Sequence, residues 1–192
     1  MNTPDGPRRG PRIKMHTLVL AAIAGAIVHI GATFAWPGLA TGDAYRRLAR
    51  TLPLDQMRVL PPTAPKTQVI AFQAPDLRYA VCRFNAAGAA IAVRARLPEA
   101  GWTFSVHGAQ GQSVYVVAGQ DQRPTDIALL LLPPGERFVG PLPEARLASG
   151  LAQVPLPTAE GIIMIRAPAK GAAYQANLEA ELAKASCTPR KS

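Results

Sequence analysis

Ser105 and His107 stand two apart in Trp102-Thr-Phe-Ser-Val-His107, and Tyr115 follows beyond a glycine-bounded turn. On an extended strand, positions two apart point to the same side. The hydroxyl and the imidazole therefore share a face. A serine within reach of a histidine is the smallest constellation for nucleophilic catalysis, because the imidazole can take the hydroxyl proton. Asp76, Asp121 or Asp126 would have to supply the third member of a triad. No Gly-x-Ser-x-Gly elbow surrounds Ser105. Polar residues at alternate strand positions are also the ordinary outward side of a half-buried sheet. Ser105, His107 and Tyr115 are the catalytic candidates of a chain that otherwise leans away from enzymes.

Other chemistry is poorly served. Cys82 and Cys187 are the only cysteines, and outside the amino-terminal apolar stretch His107 is the only histidine. Neither Cys-x-x-Cys nor His-x-x-x-His spacing occurs, so a structural zinc site lacks its four N/S ligands. There is no Gly-x-Gly-x-x-Gly after a strand and no Gly-Lys-Ser/Thr loop to cradle phosphate. No metal and no cofactor are expected. A net charge of +9 raises the question of nucleic acid. The arginines scatter singly along strands, without a basic stripe interleaved with aromatics. No nucleic-acid partner is expected, and the charge suits an anionic membrane surface.

The elements that must hold these residues begin with an apolar stretch. From Met15 to Trp36 no carboxylate, lysine or arginine appears. As a helix at ~1.5 Å per residue it would span about 33 Å, against a hydrocarbon core of ~30 Å. It is too uniformly apolar for an amphipathic core helix and longer than the ~7–15 residues of a signal-peptide core. A retained anchor is the reading, with cleavage near Gly38-Leu39-Ala40 as the alternative. Arg8, Arg9, Arg12 and Lys14 precede it, and Trp36-Pro37-Gly38 ends it. The positive-inside rule favours the leader in the cytoplasm and the body outside. His29 lies in the outer half of the span, where a lone histidine finds a neighbouring helix or the headgroup boundary.

The expected organisation follows. Residues 1–14 form a basic cytoplasmic leader and 15–37 the transmembrane helix. Residues 38–76 hold a short amphipathic helix (Tyr45, Leu48, Ala49 and Leu52 at helical spacing, Asp43 as cap) and a connector rich in proline. Residues 77–192 form an extracytoplasmic β domain. In that domain Ala80, Cys82 and Phe84 alternate with Tyr79, Val81 and Arg83. After the Asn85–Gly88 turn, Ile91, Val93 and Ala95 alternate with Ala92, Arg94 and Arg96, which reads as a hairpin. Trp102–His107 and Ser113–Val117 read as a second pair around Gly108–Gly111. Ile127–Leu132 and Gly161–Arg166 are apolar runs of strand length, suited to burial on both faces. Lys170 to Ala185 closes as a helix with Tyr174, Leu178 and Leu182 on one side, and Cys187 at its end. The fold class is mostly β, an antiparallel sandwich or partly closed barrel with a C-terminal helix.

An exported domain is an oxidising setting in which disulfides persist. Cys82 and Cys187 form the only possible bridge, which would staple the last element to the sheet. The alternative is two separate buried thiols.

Four segments taken together, Tyr79-Ala-Val-Cys-Arg-Phe84, Trp102-Thr-Phe-Ser-Val-His107, Gly111-Gln-Ser-Val-Tyr115 and Gly161-Ile-Ile-Met-Ile-Arg166, resemble the bacterial domain of unknown function 1254 family, in particular its small membrane-anchored members. The similarity covers most of the chain, without the second domain of the larger relatives. It implies an envelope protein and transfers no catalytic residue. The expectation is a single-pass protein of the bacterial cytoplasmic membrane with its C-terminal domain in the periplasm. The bilayer is its first partner, through the N-terminal helix, and a membrane protein its possible second. It would act as a non-catalytic partner- or ligand-binding module. The alternatives are an envelope enzyme using Ser105, His107 and Tyr115, or a structural subunit of a membrane complex.

Overall fold

The computed structural model describes residues 14–39, 44–64, 68–70, 73–135 and 151–190. The basic leader up to residue 13 and the expected cap Asp43 lie outside them. The chain divides into two units, Met1–Thr41 and Gly42–Ser192.

The first unit is helix α1, Met15–Leu39. It runs two residues past Pro37, within the usual fraying of a helix end. Met15–Trp36 is long and apolar enough to cross a membrane, and none of it is buried. Within it Thr33 Oγ1 donates to the His29 carbonyl at 2.8 Å, satisfying the hydroxyl inside the helix.

The second unit is mostly β, with two sheets and a C-terminal helix, and no barrel closes. Its strands are β1 Arg58–Val59, β2 Leu77–Asn85, β3 Ala90–Leu97, β4 Thr103–Gly108, β5 Ser113–Ala118, β6 Thr125–Leu132, β7 Ala152–Pro155, β8 Glu160–Pro168 and β9 Ser186–Arg190. Helix α2 is Ala44–Ala49 and helix α3 Ala172–Ala183. One sheet has the order β1-β2-β8-β4-β5 and the other β7-β6-β3-β9. Among these described strands the pairings are antiparallel except that of β6 with β7, and an isolated parallel bridge joins Leu54 to Arg83.

Alternation decides which side chains go inside. Ala80, Cys82 and Phe84 of β2, Phe104 and Val106 of β4, and Ile163 and Ile165 of β8 meet Ile91 and Val93 of β3 and Leu129 and Leu131 of β6 in one buried core. Because residues of both sheets share it, the architecture is a sandwich. The first sheet is covered on its other face as well. There Tyr45 and Leu48 of α2, with Leu60, pack on Tyr79, Val81 and Ile162. That second layer explains the unbroken apolar run of β8. The Arg83 guanidinium lies 5.5 Å from the Tyr45 ring centroid, holding α2 to β2.

Two expectations change. β2 and β3 do not form a hairpin: β2 pairs with β8 and β1, while β3 pairs with β6 and β9 in the other sheet. Each strand turns an apolar side to the sandwich core, Ala80, Cys82 and Phe84 from β2 and Ile91 and Val93 from β3, and crossing between sheets lets those sides face each other, which a hairpin would not. The chain after α3 is a strand rather than a helix end. Cys187 sits opposite Val93, because the edge of β3 offers backbone groups that an extended Ser186–Arg190 can pair.

Candidate functional site

Ser105 and His107 lie on β4, on the face of the first sheet turned away from the sandwich core. β4 is paired on both sides, with β5 and β8, so Ser105 is set between Val116 and Met164 in regular strand geometry. Its side chain is buried, and its Oγ lies 3.0 Å from His107 Nε2 and 3.4 Å from the Met164 carbonyl oxygen. The hydroxyl has one proton to give, and the shorter contact is to the imidazole. A register shift between Val106 and His107 sets His107 opposite Ser113, and the imidazole reaches the Gly111 backbone in the turn that follows. The turn depends on Gly111, whose φ of 87° is a left-handed conformation suited to glycine.

Burial, and then the positive charge of Arg166, hold the His107 pKa below its ordinary 6.5, while a hydrogen bond with the Gly111 backbone pulls the other way. The imidazole is therefore neutral at pH 7, and its Nε2 faces a hydroxyl. That pair can pass a proton between them. The charged neighbour is a cation, though, where a triad places a carboxylate to stabilise the imidazolium.

The remaining candidates lie elsewhere. Tyr115 pairs with Val106, whose side chain is in the core, and its ring meets Phe104 edge-on at 6.2 Å. It is thus on the opposite side of the sheet from Ser105 and His107. Asp126 belongs to the other sheet and pairs with Arg96 at 3.8 Å. Asp121 follows the Ala118 end of β5, and Ala118 pairs with Thr103 at the far end of β4 from His107. Asp76 precedes β2 and accepts the Ala169 N–H at 2.8 Å through its carbonyl. Sequence spacing brings the serine and histidine together; the register separates the rest. Among the described residues, no group of three or more His, Cys, Asp or Glu is placed to hold a metal ion.

Cys82 and Cys187 are joined in a disulfide, with their Cα atoms 6.5 Å apart. Both are buried in the sandwich core, where the bond ties β2 of one sheet to β9 of the other. A further polar link was missed. Arg78 is buried at the start of β2 and pairs with Glu179 of α3. Its parity with Ala80 and Cys82 could have flagged it, since an arginine on an inward register needs an acid.

No protein-family model matches the chain, and no curated protein matches it in sequence. Among solved structures, the VPA0106 protein of Vibrio parahaemolyticus resembles it with a TM-score of 0.55 at 10% identity. That match takes in 76% of this chain and 34% of the Vibrio chain, so this chain spans about a third of that protein's length. At such identity the likeness is one of fold.

Proposed function

We propose that this is a single-pass, membrane-anchored protein of the bacterial envelope. In this reading its β sandwich stands outside the cytoplasmic membrane and serves as a non-catalytic module for binding a partner or ligand. The observation that carries it is α1, an apolar helix of membrane-spanning length with none of its span buried. In water that surface would be a large exposed apolar patch, which soluble monomers avoid. The core disulfide on the same chain fits an oxidising compartment. The resemblance of the strand segments to the domain of unknown function 1254 family points the same way.

A second reading, an envelope hydrolase, is favoured by one observation, the 3.0 Å contact between Ser105 Oγ and His107 Nε2. The cation beside the imidazole and the burial of the serine weigh against it. A serine-directed phosphonate probe separates the two. Labelling at Ser105 that disappears in His107→Ala would establish the enzyme.

Topology tests the first reading. A reporter active only in the periplasm, fused after Ser192, should be active, and a cytoplasm-only reporter silent. Carbonate washing should leave full-length protein in the membrane. The reverse reporter pattern would overturn export, and a soluble product starting near Thr41 would show the span to be a cleaved signal.

A further inference from the structure

A strand at the end of a sheet presents unpaired N–H and C=O groups along one side, and native proteins blunt such edges. Among the described residues four strands end the two sheets: β1, β5, β7 and β9. Three of them are blunted. β1 is two residues long and carries Arg58. β7 has four residues and closes on Pro155. β9 contains Pro189 and Arg190 and is tied down through Cys187.

β5 has none of these devices. Ser113-Val-Tyr-Val-Val-Ala118 is six residues long, without charge or proline, and four of the six are strong strand formers. Val116 is 61% exposed, and among the described residues β4 alone pairs with the strand. A sequence of this kind on an open edge is an aggregation hazard unless it is covered.

We propose that β5 is a dimerisation edge, pairing antiparallel with β5 of a second copy of this chain. Antiparallel self-pairing about a two-fold axis sets residues of one strand against residues of the same strand. A single charge there would meet its own like. β5 carries none, and the side chains it exposes, Ser113, Val116 and Ala118, are small and neutral. The contact also closes on itself. The joined sheet ends at β1 on both sides, and two residues offer little for a third copy to extend. Anchoring in one bilayer would concentrate the copies, and only that support rests on the membrane reading. The edge argument stands without it.

The test is sedimentation of the full chain in detergent over a range of concentrations, with wild type expected as a dimer. Val116→Lys should raise the dimer dissociation constant roughly tenfold or more, because each copy would bring a lysine to the shared edge. Val116→Thr and Gly25→Leu should leave it within about twofold, since one keeps strand propensity and the other alters only α1. A retained Cys82–Cys187 bond checks the fold. Should Val116→Lys not fold, a photocrosslinking residue at Ala118 replaces it, and copy-to-copy adducts are expected in cells. A monomeric wild type would overturn the proposal. So would a dimer indifferent to Val116→Lys or lost in Gly25→Leu, or adducts to a different protein. None of these outcomes moves the topology reporters, so failure here and failure of the anchoring reading are distinguishable.

Discussion

At the scale of single residues, His107 and the cysteine pair make the sharpest statements. Burial and Arg166 lower the His107 pKa in the folded protein, so below about pH 6.5 the unfolded chain binds the proton more readily. Stability from this group is complete above about 6.5 and is lost as pH falls. The stability difference between wild type and His107→Asn should therefore shrink as pH drops from about 7.5 to about 5. A constant difference across that range would remove the buried, neutral imidazole from the account. The disulfide closes a separation of 105 residues. Replacing both cysteines by alanine should cost about 2–5 kcal/mol, a large share of a domain's usual 5–15. Denaturant unfolding measures the cost. Mass spectrometry after thiol trapping should find no alkylated cysteine in native protein, and two alkylated cysteines would mean that the bond does not form in the cell.

At the scale of elements, β8 is the strand most constrained by its neighbours. It lies between β2 and β4, with Ile163 and Ile165 in one core and Ile162 packed on the α2 side. Gly161 is where it comes closest to others: a methyl added there would run into the Phe84 ring and the His107 carbonyl oxygen. Gly161→Ala should destabilise by about 1–3 kcal/mol through displaced packing. It should also disturb the imidazole signals of His107, a readout that general destabilisation leaves alone. Helix α3 is held by Leu182, which is buried in the sandwich core, and by the Arg78–Glu179 pair. Leu182→Ala should cost about 2–5 kcal/mol, with the cavity adding to the lost transfer term. A loss under about 0.5 kcal/mol would mean that α3 is not part of the cooperative unit.

At the scale of the whole molecule, the unit Gly42–Ser192 contains both sheets, the core between them and the disulfide. A domain with its own core can fold alone. A fragment beginning at Gly42 and made in an oxidising compartment should therefore be soluble without detergent, should melt cooperatively and should contain the Cys82–Cys187 bond. Aggregation of that fragment with both thiols unpaired would show that the sandwich needs its amino-terminal unit to fold.

Local chemistry was legible without a structure. Alternation in Tyr79–Phe84 and Trp102–His107 told strands from helices and sorted inward from outward side chains, because the side-chain period of two is a property of the extended backbone itself. The apolar stretch Met15–Trp36 and the shared face of Ser105 and His107 followed from the same kind of local geometry. Pairing partners were not legible. Which strand lies beside β2 depends on where its apolar side can be buried, and that is settled by residues 75 to 91 positions away on β8. The turn at Asn85–Gly88 suits a hairpin as well as a crossing between sheets, so local signals could not choose. β9 escaped notice because Ser186–Arg190 has weak strand propensity and is extended only by the open edge of β3. Tyr115 turned away from His107 for a related reason: the register shift at Val106 and His107 exists only once β4 and β5 are paired. Sequence determined the periodicities and the chemistry each segment carries; tertiary structure decided the neighbours, because burial is shared among strands distant along the chain.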